Sequence, residues 1–377
     1  MTSITRPRVA SFFALLFAAW MGAGSVFAQP SGASVGRADP VGEPIVSGSV
    51  HRIASTVYGT EQILTVRLPR GYGDDAERTY PVLYSIDGGP EQDFDLLSGI
   101  AAEAEFSESF EPFILIGIQT EDRYSQLTPA WTRVGKGLLS DAFGDRIKPD
   151  GATKFRRYLA EDVMPWVGNR YRGDRTILTS ASLGGLFVLD TLLERPEMFD
   201  DYIALTPSLW WDGGRIADEA AAKLAAHSAS DRRLYFTMGD EGVGNKVGQW
   251  VDTLISAFEQ KAPEGLKWAF VDRSDSEEHR TMALTGWLDA FRTLYLIPSR
   301  TGSPLPLIYE DFTAPKYTAE ARENLDAGKC RREIAEPVRF AEKNAFPDNF
   351  YGLCVLMKPG HAITAGNFTP SDFGRPK

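Results

Sequence analysis

An α/β fold, with a mainly parallel sheet covered by helices on both faces, is what this sequence predicts, and three observations predict it. Short runs rich in β-branched and aromatic residues recur along the chain, and longer stretches with helical spacing of apolar residues fall between most of them. The two kinds alternate, which is the order a parallel sheet with crossover helices needs. The composition supplies a core: 43% of the 377 residues are hydrophobic and 11% aromatic.

Taken from the start, Arg6 and Arg8 precede an almost wholly apolar run at 12–23 that closes on Val26-Phe27-Ala28. This reads as a signal peptide, residues 1–28, cleaved after Ala28, so the mature chain is expected in the periplasm or outside the cell. Its removal takes away two positive charges and no negative ones, turning the net charge of -11 into -13. That balance opposes nucleic-acid binding and offers no basic patch to an anionic lipid. No later segment approaches roughly eighteen uninterrupted apolar residues, so no membrane span is expected in the mature chain.

Residues 29–45, rich in Gly, Ser and Pro, read as a flexible lead-in. A catalytic domain is expected over 46–298, with strands at 63–68, 81–86, 113–118, 175–179, 202–205, 234–238 and 266–271, and helices at 155–171, 183–194, 214–227, 247–261 and 280–295. Residues 299–377 form a C-terminal extension with one expected helix at 318–326. The two cysteines, Cys330 and Cys354, lie there, and in an oxidising compartment they are expected to pair. Closing that loop would stabilise the fold by about 3 kcal/mol. No cluster of Cys or His with metal-ligand spacing is visible, so no metal or cofactor is called for.

The sharpest local signal is Thr179-Ser180-Ala181-Ser182-Leu183-Gly184-Gly185, between an expected strand and an expected helix. A tight strand-to-helix turn presents a serine hydroxyl above the sheet, and the next backbone N–H, here Leu183, helps to form an oxyanion hole. This is the setting of the nucleophile in the α/β-hydrolase fold, with Ser182 in that role. Small residues two before and two after keep such a turn from clashing. Gly184 fits, whereas Ser180 stands where glycine is usual.

A serine hydroxyl needs a positioned base, and His is the usual one. The candidates are His51, His227, His279 and His361. With chain order nucleophile, acid, base, and the His beyond the last strand, His279 alone fits. The orienting acid should follow the strand at 234–238, where Gly239-Asp240-Glu241-Gly242 stands. Glu241 is favoured over Asp240, and a Ser-His pair without a strong third member is the remaining alternative.

These residues resemble the esterase D-like branch of the α/β-hydrolases, which includes S-formylglutathione hydrolase, feruloyl esterases, mycolyltransferases of the antigen 85 type and iron-siderophore esterases. Five segments over about residues 55–298 carry the likeness: Tyr80-Pro81-Val82-Leu83-Tyr84-Ser85-Ile86-Asp87-Gly88-Gly89, Asp122-Arg123 with Leu127-Thr128-Pro129, residues 158–171, Ser182-Leu183-Gly184-Gly185-Leu186-Phe187, and Thr206-Pro207-Ser208-Leu209-Trp210-Trp211. The last is close to the Ser-Pro-Ser-x-Trp-Trp of siderophore-esterase-like members.

The resemblance implies a second oxyanion donor at the Gly89 N–H, a substrate pocket lined by Trp210 and Trp211, and an anion-holding role for Arg123. It also implies a serine esterase acting on a small-molecule ester through an acyl-enzyme. Two rivals stand beside it. One is acyl transfer to another acceptor, as in the mycolyltransferases. The other, motivated by Ser180, is a catalytically inactive binding module.

Overall fold

The computed structural model of the protein describes residues 44–132, 151–227, 231–242, 246–295 and 363–366. The expected signal peptide, the expected helix at 318–326, Cys330, Cys354 and His361 lie outside the described residues. The chain divides between Ile45 and Val46, and every element below belongs to the part from Val46 onward.

Among the described residues nine strands form one sheet: β1 (Ser49–Ala54), β2 (Glu61–Arg67), β3 (Tyr80–Ile86), β4 (Ile114–Ile118), β5 (Gly173–Ala181), β6 (Asp201–Leu205), β7 (Arg232–Met238), β8 (Leu266–Asp272) and β9 (Ile363–Gly366). Their spatial order is β1-β2-β4-β3-β5-β6-β7-β8-β9. Pairing is parallel from β4 through β8 and antiparallel for β1–β2, β2–β4 and β8–β9. The chain steps from β3 outward to β4 and then back past β3 to β5, so the strand order reverses there. At such a switch point the loops leaving the carboxyl ends diverge and open a crevice.

The helices are α1 (Phe94–Ser107), α2 (Arg123–Leu127), α3 (Gly151–Tyr158), α4 (Met164–Gly168), α5 (Leu183–Glu194), α6 (Arg215–Ala225), α7 (Val247–Lys261) and α8 (Met282–Tyr295). Alternation along each strand divides their burial between two cores. On one face Val82, Tyr84 and Ile86 of β3 pack with Phe155 of α3, Phe187 of α5 and Leu254 of α7. On the other, Leu83 of β3 and Ile203 of β6 pack with Phe94 and Leu97 of α1 and Trp287 and Phe291 of α8. Such aromatic side chains each remove a large apolar area from water, which is the main term holding helices to the sheet.

The expected helix at 155–171 is interrupted by a π-helical stretch, Leu159–Val163. Pro165 follows it and has no N–H to give to the Glu161 carbonyl, so the ladder shifts register and the Met164 N–H bonds to the Leu159 carbonyl instead. Asp162 of this stretch accepts hydrogen bonds from Ser55 Oγ and Thr56 Oγ1, both at 2.6 Å, and so pins the β1–β2 turn to the helix. Residues 363–366, within the expected extension, add β9 to the sheet beside β8.

At the amino ends of the strands, the fully buried Asp201 carboxylate accepts from Arg175 at 2.7 and 2.8 Å, from Arg233 at 2.6 and 2.8 Å and from the Tyr295 hydroxyl at 2.5 Å. Burial alone would raise the Asp201 carboxyl; Arg233 and Arg175 reverse that and leave it below the ordinary carboxylate range. The chemistry-bearing residues gather at the opposite, carboxyl ends.

Candidate active site

Where β5 ends the chain turns sharply into α5, and Ser182 makes the turn with φ 62° and ψ −123°. A positive φ is costly for a residue with a Cβ, and it persists only when the surroundings over-determine it. Here they do. The Ser182 N–H donates to the Leu205 carbonyl at 3.0 Å, and its carbonyl accepts from Leu186 N–H at 2.9 Å and Ser208 N–H at 3.1 Å.

The small residues of the motif each answer a close approach. A Cβ on residue 184 would fall 1.9 Å from Ser180 Oγ, and one on residue 185 would fall 2.7 Å from the Leu205 carbonyl oxygen. Ser180 is fully buried, with its hydroxyl donating to the Ile86 carbonyl at 3.0 Å. The bare Gly184 leaves room for that hydroxyl, which explains how the turn accommodates a serine at this position.

Three loops from neighbouring strand ends bring Ser182, His279 and Glu241 together. His279 Nε2 is 2.9 Å from Ser182 Oγ, and His279 Nδ1 is 2.6 Å from Glu241 Oε1. An ionised carboxylate can only accept, so the Nδ1 proton points at Glu241 and the Nε2 lone pair faces the Ser182 hydroxyl. Backbone bonds zip the two loops together: the His279 N–H donates to the Asp240 carbonyl at 3.2 Å, and the Asp240 N–H to the Glu277 carbonyl at 2.7 Å. The Asp240 side chain is exposed and accepts from the Gly242 N–H at 2.8 Å, so of the adjacent pair it is Glu241 that meets the histidine. His51 instead bonds Ser49 Oγ at 2.7 Å and packs on Trp166, and His227 bonds the Leu193 carbonyl at 2.5 Å.

Around this line the remaining expected residues fall differently. Leu183 opens α5, where a backbone N–H has no acceptor inside the helix. The Gly89 N–H is already engaged, donating to Gln92 Oε1 at 2.9 Å, while Gln92 Nε2 is held by the Thr120 carbonyl at 3.0 Å. The Gly89 N–H expected at the oxyanion hole is thus capped by Gln92, a residue for which the sequence carries no functional signal. Arg123 is turned inward: Nε donates to Asp87 Oδ2 at 3.0 Å and Nη2 to the Ala181 carbonyl at 3.1 Å. It ties α2 to the two strand ends flanking the crevice.

Trp211 is buried, donates its indole N–H to the Pro129 carbonyl at 3.1 Å and packs edge-on against Trp131 at 4.6 Å. Trp210 beside it is half-buried, its ring centroid 5.8 Å from that of Trp211. Among the described residues no group of three or more His, Cys, Asp or Glu is disposed to hold a metal ion, and no helix is long and apolar enough to cross a membrane.

A siderophore enterobactin esterase of Emericella nidulans is 42% identical over 74 residues, 19% of this chain and 24% of that protein. The ferri-bacillibactin esterase of Bacillus subtilis is 44% identical over 64 residues, 16% and 22% of the two chains. The matches thus span about a quarter of the length of these curated relatives. Among solved structures, an IroE-like serine hydrolase from Shewanella oneidensis superposes with a TM-score of 0.58 over 82% of this chain and 98% of that one, at 18% identity, and shares the fold. The family described as "Putative esterase" matches residues 55–265, more than half of the chain, and this protein belongs to it.

Proposed function

We propose that the protein is an exported serine esterase with Ser182 as nucleophile, His279 as general base and Glu241 as the acid that orients it. The observation that carries this reading is the unbroken line from Ser182 Oγ through His279, 2.9 Å on one side of the ring and 2.6 Å to Glu241 on the other.

Ser182 Oγ attacks the ester carbonyl carbon while its proton passes to His279 Nε2, and Glu241 stabilises the imidazolium through the Nδ1 proton. The oxyanion is received by the Leu183 N–H and by the Gly89 N–H, which exchanges the neutral amide oxygen of Gln92 for a charged and stronger acceptor. Each such donor contributes about 3 kcal/mol to lowering the barrier. The alcohol leaves with the proton from His279. Water, deprotonated by the same nitrogen, then attacks the acyl carbon, and Ser182 is regenerated as the acid departs.

For the substrate we favour a siderophore ester. The short, high-identity matches to a siderophore enterobactin esterase and a ferri-bacillibactin esterase support this, as does the half-buried Trp210, whose ring suits a flat aromatic group. The N-terminal pattern with its close at Ala28 supports export.

A fluorophosphonate probe is expected to label the wild type and not Ser182→Ala. A panel of aryl, feruloyl and catecholate-siderophore esters, run beside that variant, is expected to give its highest Ser182-dependent rate on the siderophore. Absence of labelling under conditions that label known serine esterases would return the molecule to an inactive binding module.

A further inference from the structure

We propose that Thr206 is a positioning residue of the triad: its hydroxyl holds the Glu241 carboxylate so that Oε1 meets His279 Nδ1. This rests on the triad reading above and extends it to a residue with no assigned role.

Thr206 follows β6, is buried, and has φ 38°. A β-branched residue at positive φ is a genuine outlier, and such strain persists where a side chain must be aimed. The hydroxyl so aimed lies 2.7 Å from Glu241 Oε1, 3.3 Å from His279 Nδ1 and 3.3 Å from Met238 Sδ. A hydroxyl has one proton, and the nearby carboxylate oxygen is the strongest acceptor of the three, so the bond goes to Glu241. Oε1 then receives two donors, Thr206 and His279, and a long side chain on a loop is confined to the one arrangement that faces the imidazole.

The same turn serves the nucleophile. Leu205 accepts the Ser182 N–H, Ser208 donates to the Ser182 carbonyl, and the Thr206 N–H donates to the Thr237 carbonyl at 2.8 Å. Residues 205–208 therefore touch both ends of the triad, and displacement of Thr206 would be felt at Ser182 and Glu241 together.

If Thr206 were only a packing residue, the isosteric valine would serve as well. Thr206→Val is expected to lower kcat/KM about tenfold or more, the loss falling on kcat, whereas Thr206→Ser should stay within about threefold of wild type. In a Glu241→Gln background Thr206→Val should add less than about twofold, because the group it positions is already lost. Should Thr206→Val fail to fold, Thr206→Ser and Thr206→Ala carry the same comparison, one keeping the hydroxyl and one losing it. Wild-type turnover in Thr206→Val beside an inactive Ser182→Ala overturns the proposal alone, as does a loss that multiplies fully with that of Glu241→Gln. Turnover that survives Ser182→Ala overturns the triad reading as well.

Discussion

Glu241 presents Oε1 to His279 Nδ1 at 2.6 Å, although Asp240 is the adjacent acid in the same loop. The two diverge because the Asp240 backbone is paired on both sides with the loop carrying His279, which sends its side chain outward to the Gly242 N–H and the next one inward. Glu241→Gln keeps the shape but exchanges an acceptor for a group that can also donate, so the tautomer of His279 is no longer dictated. A fall in kcat on the order of 10²- to 10⁴-fold is expected, smaller than for His279→Ala. Asp240→Asn should remain within about threefold of wild type. Steady-state kinetics on one chromogenic ester decide it, and the reverse ranking of the two acids would move the orienting role to Asp240.

The strain at Ser182 sets stability against activity. At φ 62° and ψ −123° a glycine adopts the turn without steric cost, so Ser182→Gly should melt higher than the wild type, by about 1 kcal/mol in unfolding free energy, while losing turnover. Ser182→Ala should lose turnover by several orders of magnitude without that gain, since it keeps the Cβ. Thermal unfolding of the three proteins side by side tests this, and equal melting points for the Gly and Ala variants would show that the turn stores no strain.

Gly184 and Ser180 should be coupled. A methyl on residue 184 meets Ser180 Oγ at 1.9 Å and Ser180 Cβ at 2.5 Å, with the next neighbour, Asp87 Oδ2, at 3.2 Å. Gly184→Ala alone is therefore expected to cost roughly 2 kcal/mol or more through overpacking, and Ser180→Gly in the same chain should recover most of it. Additive losses in denaturant unfolding would mean that the clash is relieved elsewhere.

What the sequence revealed follows from where each signal resides. Strands such as β3 and β4 are buried on both faces and read as mostly apolar runs, and α5 and α7 keep the bounds that their spacing indicates. His279 emerged because the chain has so few histidines and one stands in the right order. By contrast, β1 lies at an edge with most of its side chains in solvent, so the run Ser49–Ala54 carries little apolar pattern. Helix α1 has Phe94, Leu97, Ile100, Ala101 and Ala104 buried at helical spacing, a legible signal diluted by Ser98, Gly99 and several alanines. The cap of Gln92 on Gly89 and the aim of Thr206 depend on side-chain directions between distant segments, which no local pattern encodes.

Asp93 gives the fold a pH dependence of known sign. Burial first, and the nearby Asp87 second, raise its carboxyl while Arg123 offsets part of the rise, which leaves it at about 6. Because the folded-state value lies above the unfolded one of 3.8, the folded state holds the proton more tightly. The associated stability is fully present below about 3.8 and is lost as pH rises through about 6. Asparagine resembles the protonated acid and does not titrate. Asp93→Asn should therefore match the wild type near pH 4 and exceed it by on the order of 1–2 kcal/mol at pH 8, allowing for solvent screening. Denaturant unfolding across that range is the measurement. A stability difference that stays flat with pH would show that Asp93 is ionised throughout and that Arg123 outweighs both its burial and Asp87.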